Sequence, residues 1–228
     1  MSRKINFSPG ENYHIYNRGN DKRVIFQNKA DYDRFTALLY ICNGTKDIKL
    51  SDYPNIKMEK LLEIKRGETL VDIGAYCLMP NHFHLLIHEK TEGGISKFMQ
   101  KLLTAYTMYF NKKNERTGVL FGGLFKATHV NEDRYLKYLL SYIHLNPIKL
   151  IEPAWKETGI KNKKGADLFL KSYIYSSFLD FTVEKRKELV ILNKNQFPEY
   201  FENFKEFEVF IENWLMFSND NPTVKARP

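Results

Sequence analysis

Along the first half of the chain, the order of hydrophobic and polar positions predicts strands alternating with helices. Residues 12–18 combine aromatic and β-branched side chains, which predicts a first strand. Asn28 precedes apolar residues at helical spacing, so we expect it to cap a helix over 29–43. Residues 45–68 are polar and irregular apart from a short helix expected around Met58, so they are interpreted as an insertion.

The next part of the chain carries the densest pattern. Two apolar strands, over 71–79 and 82–88, flank a Pro-Asn turn, and together they predict a β-hairpin. Apolar side chains at helical spacing then predict a helix over 96–113, and a fourth strand follows over 124–130. The order β-α-β-β-α-β is the ferredoxin-like split pattern, so we expect an α+β fold with this core.

More helices are expected after this core. A helix over 132–146 is predicted to be capped by Asn131 and stopped by Pro147. Residues 165–181 indicate loops with short helical pieces, whereas 197–217 alternate acidic and aromatic side chains, as is typical of an amphipathic helix.

The pattern predicts two regions and an added helix within the first. Residues 1–150 should hold the core with the added helix, and residues 151–228 should form a helical extension packed on it, with a loose tail. The 228 residues are 43% hydrophobic and 27% charged, which excludes wholesale disorder. Without a spanning apolar run or a signal peptide, and with only Cys42 and Cys77, we expect a cytoplasmic protein with free thiols.

The charge balance favours a nucleic-acid partner. The net charge is +8 and aromatic residues make up 14% of the chain, a combination that suits single-stranded nucleic acid. Residues 99–150 hold eight Lys or Arg against three acidic residues. The basic residues that we expect to contact DNA are Lys101, Lys112, Lys113, Arg116, Lys126 and Arg134.

Two histidines in the second strand of the β-hairpin are the first candidates for chemistry. His82 and His84 alternate with Phe83, so both imidazoles project from one face and can bind one metal ion. His88 shares that face but lies ~13 Å from His84, too far to join them. The other histidines are interpreted as structural, with His129 also a candidate neighbour of the site; they are His14, His129 and His144.

A tyrosine stripe on the helix over 132–146 is the second candidate. It comprises Tyr135, Tyr138 and Tyr142, and Asn146 follows Tyr142 by one turn, about 6 Å along the axis. Such a stripe is most often amphipathic packing. If it faces a metal ion, a phenol beside a polarised phosphate becomes a nucleophile for phosphoryl transfer.

These motifs carry a resemblance to a known family. The segments concerned are Asn81-His82-Phe83-His84-Leu85-Leu86, Gly94-x-Ser96-Lys97-Phe98-Met99-Gln100, Tyr106-x-x-Tyr109-Phe110-Asn111, Phe125-Lys126 and Tyr142-Ile143-x-x-Asn146-Pro147. From about Tyr13 to Pro147 the chain resembles the single-tyrosine HUH transposases, in particular the REP-associated tyrosine transposases. It departs from them at Leu124, where relatives often have a basic residue, and at Tyr175, where they usually have Trp.

The resemblance implies a role for each motif. His82 and His84 become metal ligands, Tyr142 the nucleophile, and Asn146 the third ligand or a polar group beside the metal. The expected ion is Mg²⁺ or Mn²⁺. The tyrosine is expected to attack single-stranded DNA near a DNA hairpin, leaving a 5′-phosphotyrosine bond and a free 3′-OH. The protein would act as a monomer or homodimer at the nucleoid of a bacterial-type cytoplasm, with no membrane partner.

Two other functions stay open from the sequence. The protein could be a domesticated DNA-hairpin-binding factor without turnover, although such a factor needs neither the histidines nor Tyr142. It could also be a metal hydrolase that activates water, although the Asp or Glu expected near His82 and His84 is missing.

Overall fold

A four-stranded antiparallel sheet forms the centre of the protein. The computed structural model describes residues 6–53, 56–182, 186–198, 200, 205–206 and 209–211. The strands are β1 (Asn12–Arg18), β2 (Val71–Met79), β3 (His82–Glu89) and β4 (Lys126–Val130). Their spatial order is β2-β3-β1-β4, with every neighbouring pair antiparallel. This is the ferredoxin-like arrangement, and it confirms the predicted fold class.

Helices cover both faces of this sheet and continue beyond it. They are α1 (Lys29–Ile41), α2 (Met58–Leu61), α3 (Gly94–Lys113), α4 (Asp133–Leu145), α5 (Trp155–Thr158), α6 (Lys163–Ser172) and α7 (Phe178–Thr182). Short 3₁₀ turns occupy Asn20–Lys22, Leu50–Asp52, Asn146–Leu150, Lys187–Ile191 and Lys194–Gln196. Within the described ranges no helix is long and apolar enough to cross a membrane.

The pleat of β3 divides the interior into two cores. Phe83 and Leu85 are fully buried against α1 and α3, together with aromatic residues such as Phe35. Leu86 points the other way and packs in a core with the apolar stripe of α4. His84 follows the same alternation as Leu86, so the face of the sheet that carries the histidines is the face that α4 covers.

The edge of β2 is covered by the C-terminal part of the chain. The Leu78 amide donates to the Tyr175 carbonyl, and the Ser177 amide donates to the Tyr76 carbonyl, each over 2.9 Å. Near a register shift in β2, a Cβ at Gly74 would lie 2.7 Å from ring atoms of Phe197. The extension therefore closes directly on the sheet, and any side chain at position 74 would force the Phe197 ring to move.

Several predicted element bounds differ from the observed ones. The helix predicted from Ser96 begins at Gly94, because the buried Glu89 carboxylate accepts a hydrogen bond from the Ile95 amide over 2.6 Å. The fourth strand, predicted over 124–130, begins only at Lys126.

The predicted cap of α4 was wrong, whereas its predicted end agrees with the structure. The N-cap residue is Glu132 instead of Asn131, and no side-chain hydrogen bond caps the helix. The α-helix ends at Leu145, two residues before Pro147, and the chain continues as the 3₁₀ turn Asn146–Leu150, whose first positions tolerate proline. The region 165–181, predicted to be rich in loops, contains most of α6, a helix of ten residues.

The predictions for the insertion and for the cysteines can be checked against the structure, whereas most of those for the C-terminal segment cannot. The short helix predicted in the 45–68 insertion is α2, whose Leu61 packs against Ala37 and Ile41 of α1. Cys42 and Cys77 are free and buried, as expected. The predicted helix over 197–217 and its tail lie largely outside the described residues. The division at residue 150 stays a prediction.

Candidate active site

Strand β3 brings two imidazoles together beside the β2–β3 turn. The ring centres of His82 and His84 lie 5.1 Å apart and the ring planes are perpendicular. Two imidazoles bound to one ion through bonds of about 2.0–2.1 Å place their ring centres roughly 5 Å apart. The observed separation therefore suits a shared metal ion.

Hydrogen bonding leaves the same nitrogen available in both rings. His82 Nδ1 lies 2.6 Å from Asn81 Oδ1, and His84 Nδ1 lies 2.8 Å from His14 Nε2. An amide oxygen only accepts, so His82 carries its proton on Nδ1 and keeps an unprotonated Nε2. In each ring Nδ1 is engaged by a neighbour, which leaves Nε2 to serve as the ligand.

The electrostatics of this face keep the imidazoles neutral. Burial lowers the pKa of His82 to about 4, helped by the nearby charge of Arg18. Burial also takes the pKa of His84 well below its usual value, with His14 and His82 adding to the effect. Neutral imidazole is the form that binds metals, so both side chains are ready to bind an ion at neutral pH.

Helix α4 carries the tyrosine stripe to the same face. The ring centre of Tyr142 lies 5.3 Å from that of His84 and 5.9 Å from that of His14, with the ring planes close to perpendicular in both pairs. Burial raises the pKa of Tyr142, while contact with Asn146 and the charge of Lys149 act in the opposite direction. The phenol is therefore protonated at neutral pH, and it needs a nearby cation to become a nucleophile.

Asn146 supplies a third polar group beside the histidines. Its side chain is 2% exposed, and its Oδ1 has no hydrogen-bond partner among the described residues. The same amide raises the pKa of His82 and lowers that of Tyr142, so it faces both groups. A buried carbonyl oxygen without a partner is unfavourable, and a divalent cation would satisfy it.

The donor set fits a divalent cation with open coordination positions. In the part of the chain that the structure describes, no three His, Cys, Asp or Glu side chains come together as metal ligands. The Asn146 amide, which faces His82, is the oxygen donor that could join the Nε2 atoms of His82 and His84. A mixed nitrogen and oxygen set suits Mn²⁺ and admits Mg²⁺, and by affinity it would also take Zn²⁺ or Ni²⁺.

A lysine that the sequence analysis did not assign to the site lies next to Tyr142. Lys156, in α5, holds its Nζ 4.0 Å from the centre of the Tyr142 ring. Although Lys156 remains exposed to solvent, its partial desolvation beside the Tyr142 ring lowers its pKa to about 8. Charges of Lys149 and Lys156 also lower the pKa of His82 and His84, so the surroundings of the two imidazoles are cationic. Such a pocket attracts a phosphate group.

Comparison with known families gives a match over the part of the chain that runs from before β1 to the end of α4. Residues 9–146 match the family described as Transposase IS200 like. The chain belongs to the IS200-like transposase family. The resemblance to transposases drawn from the sequence is thereby confirmed. In this transposase the matched interval contains both histidines, Tyr142 and Asn146, whereas Lys156 lies beyond it.

Of two further comparisons, the one with solved structures gives a similar protein and the one with curated protein sequences gives none. The transposase is similar to the solved structure of a REP-associated tyrosine transposase bound to a REP hairpin, with 13% sequence identity and a TM-score of 0.44. The likeness covers 79% of this chain and 84% of that chain. A comparison with curated protein sequences gives no match.

Three of the six basic residues predicted to contact DNA belong to α3, away from the histidines. Lys101 and Lys112 belong to α3, on the opposite face of the sheet, and Lys101 Nζ donates to the Gly44 carbonyl over 2.8 Å. Lys113 Nζ lies 2.6 Å from the buried carboxylate of Asp31. The expectation that this cluster surrounds the site was wrong for α3, because charge along the sequence does not reveal the sheet face.

The other three predicted contacts are distributed differently. Arg116, just after α3, hydrogen-bonds to Asn111 and to the Val119 carbonyl. Lys126 is exposed in β4, and Arg134 is exposed in the first turn of α4, the helix that carries the tyrosine stripe. A role in DNA binding stays a prediction for all six residues.

The sequence interpretation missed the part that His14 plays at this site. His14 was taken as structural, yet its ring stacks on that of His84 at 5.1 Å. Alternation along β1 puts His14 and Tyr16 on one face, which was a signal present in the sequence. That Tyr16 pairs with His84 across the sheet follows only from the β1–β3 register.

Proposed function

We propose that this transposase is a metal-dependent endonuclease and strand transferase that acts on single-stranded DNA bearing a DNA hairpin, through a 5′-phosphotyrosine intermediate. One observation carries the proposal. The phenol of Tyr142, the buried Oδ1 of Asn146 and the two neutral imidazoles meet on one face of the sheet, in a cationic pocket. A module that only binds DNA has no use for this combination.

We assign one set of residues to binding of the ion and another residue to attack on the phosphate. His82, His84 and Asn146 would hold the ion, which supplies Lewis-acid polarisation of the scissile phosphate. The Oη atom of Tyr142 forms a bond to phosphorus while the bond from phosphorus to the 3′ oxygen breaks. The phenol gives up its proton during attack, and the leaving oxygen takes up a proton to become the free 3′-OH. DNA then stays joined to Tyr142 through its 5′-phosphate.

Lys156 and Lys149 assist the nucleophile. The buried phenol of Tyr142 resists deprotonation, and the charge of Lys149 opposes that effect. Lys156, 4.0 Å above the same ring, stabilises negative charge as it develops on the phenol. Both lysines also attract the phosphate backbone, whose binding needs no particular base sequence.

The geometry favours a site formed within one chain. In the described residues Tyr142 contacts the ring of His84 in the same molecule, so a partner chain is not needed to complete the set. We therefore propose that a monomer is competent for the first cleavage. Strand transfer between two DNA ends would still allow a homodimer.

A covalent-adduct assay tests this function. A single strand with a DNA hairpin, labelled at its 3′ end, is incubated with the protein and Mn²⁺ or Mg²⁺ and then run on a denaturing gel. We expect the 3′ label to migrate with the protein, and a 5′ label to appear in a shortened oligonucleotide. Chelation with EDTA should abolish both products.

Variants separate the proposal from its rivals. Tyr142→Phe should lose the adduct completely and keep its affinity for DNA, because only the phenol oxygen is removed. Tyr138→Phe, one turn earlier on the same stripe, is the matched control and should form the adduct. Binding without cleavage by the unaltered protein would instead indicate a domesticated hairpin-binding factor. Cleavage that survives in Tyr142→Phe would indicate a hydrolase that activates water.

A further inference from the structure

His14 has no part in the chemistry described above, although it contacts a proposed metal ligand directly. Its Nε2 lies 2.8 Å from His84 Nδ1, and the two rings stack within 22° of parallel. The side chain is 1% exposed, so water does not compete for this bond. The other ring nitrogen, His14 Nδ1, has no hydrogen-bond partner among the described residues.

Only one of the two arrangements of this hydrogen bond leaves His84 able to bind a metal. When His14 donates from Nε2, His84 accepts at Nδ1 and must carry its own proton on Nε2. That proton blocks the nitrogen turned toward the ion. When His84 donates from Nδ1, its Nε2 is free, and His14 has to accept.

We propose that His14 is a positioning residue that holds His84 in its metal-binding tautomer by accepting the Nδ1 proton. The inference rests on the proposed function, since it takes His84 as a ligand. Metal-binding histidines usually donate their second N–H to a carboxylate, a carbonyl or water. Here an imidazole takes that place.

The surroundings of His14 allow it to accept. Among the described residues His14 Nδ1 makes no hydrogen bond, so none of them holds the proton of His14 on Nε2. Its ring is also confined, since it stacks on Tyr16 at 4.8 Å and meets the Tyr142 ring at 5.9 Å. The ring therefore keeps its orientation while its proton moves between the two nitrogens.

Metal affinity in the absence of DNA gives a readout independent of cleavage. Mn²⁺ binding to the full chain is measured by the loss of the free-ion EPR signal. His14→Phe keeps a flat ring but cannot accept, and loss of such a partner typically weakens metal binding by about 10–100-fold. His14→Gln restores an acceptor and should bind Mn²⁺ within a few-fold of the unaltered protein. His88→Phe, further along β3, is the control and should not change the affinity.

A second measurement does not depend on any variant folding. Long-range ¹H–¹⁵N NMR of the Mg²⁺-loaded, unaltered protein reports the tautomer of each histidine. We expect His84 to carry its proton on Nδ1 and His14 to accept through Nε2. Protonation of His84 on Nε2 in the loaded protein would overturn the inference, as would wild-type Mn²⁺ affinity in His14→Phe.

The outcomes distinguish this inference from the proposed function. Normal covalent adducts together with unchanged Mn²⁺ affinity in His14→Phe would refute the role of His14 alone. Absence of adducts with normal Mn²⁺ binding and a His14-dependent affinity would refute the proposed function alone. Absence of Mn²⁺ binding to the unaltered protein would remove His84 as a ligand and the inference with it.

Discussion

Lys156 holds its Nζ 4.0 Å from the ring centre of Tyr142, and the two residues come from different helices, α5 and α4. The lysine lies ten residues beyond the end of the interval that matches the family, 9–146. A cation at this distance from a phenol ring stabilises it in the neutral state and more strongly once the phenol loses its proton. The proposed nucleophile is therefore in contact with a residue from the extension.

Substitution of Lys156 should slow the covalent step. We expect Lys156→Gln to lower the rate of adduct formation about 10-fold, equivalent to ~1.4 kcal/mol of transition-state stabilisation, because one cation beside the developing charge is lost. Single-turnover adduct formation on denaturing gels measures the rate. Lys163→Gln, an exposed lysine in α6, should react as fast as the unaltered protein. Equal rates for the two variants would exclude Lys156 from the mechanism.

The contribution of Lys156 should depend on pH. Partial desolvation lowers its pKa to about 8, so the side chain is charged below that pH and becomes neutral as the pH rises through it. The rate ratio between the unaltered protein and Lys156→Gln should therefore be largest near pH 7 and should approach one near pH 9. Because the ratio of the two rates is measured, the effects of other titrating groups that both proteins share cancel. A ratio that stays constant across this range would contradict the assignment.

Asn146→Ala should separate metal binding from folding. The variant removes the proposed oxygen ligand, so we expect at least a 10-fold loss of Mn²⁺ affinity and of metal-dependent cleavage. In the described part of the chain the same oxygen is buried without a hydrogen-bond partner, so its removal should leave the free energy of unfolding unchanged or raise it by about 1 kcal/mol in the absence of metal. Urea unfolding with EDTA measures the stability. A destabilised variant with normal Mn²⁺ affinity would show that Asn146 has a structural role only.

His144 should contribute to the loss of stability in acid. It is fully buried, its Nε2 lies 2.8 Å from Ser177 Oγ, and burial lowers its pKa to about 3. Below pH 6.5 the unfolded chain takes up a proton that the folded protein excludes, so stability falls as the pH decreases toward 3. Between pH 7 and pH 5 this one histidine should lower the free energy of unfolding by about 2 kcal/mol.

A variant at position 144 tests that assignment. In His144→Gln, urea unfolding should depend on pH about 2 kcal/mol less between pH 7 and pH 5 than it does in the unaltered protein. His129→Gln is the comparison, because His129 is exposed and pairs with Glu11. If both variants keep the full pH dependence, the acid sensitivity arises from other groups.

The sequence predicted those parts of the site that depend only on the regular geometry of one strand or one helix. The pleat places His82 and His84 on one face wherever the strand lies, and one helical turn places Asn146 beside Tyr142 in any helix. His14 could not be assigned in this way, because its contact with His84 depends on which strand lies next to β3. Strand order is a property of the whole fold, which a local pattern does not contain.

The predictions that were wrong or incomplete also depend on tertiary packing, which local sequence patterns do not contain. The basic residues of α3 were expected near the histidines, but a run of charge does not reveal which side of the sheet its helix covers. Lys156 was overlooked because only tertiary packing of α5 brings it over Tyr142. At the start of α4, Asn131 has the preferred capping side chain, yet the helix begins after Glu132 without a side-chain cap.

The closure of the C-terminal segment on β2 indicates how a shortened chain would behave. A chain that ended soon after residue 150 would retain every residue of the family interval. It would nevertheless expose the backbone groups of β2 that Tyr175 and Ser177 now occupy, and it would lack Lys156. Unpaired edge strands promote aggregation, so we expect such a product to aggregate more readily than the full chain and to react more slowly. The residues after the family interval are therefore part of what keeps that interval folded and active.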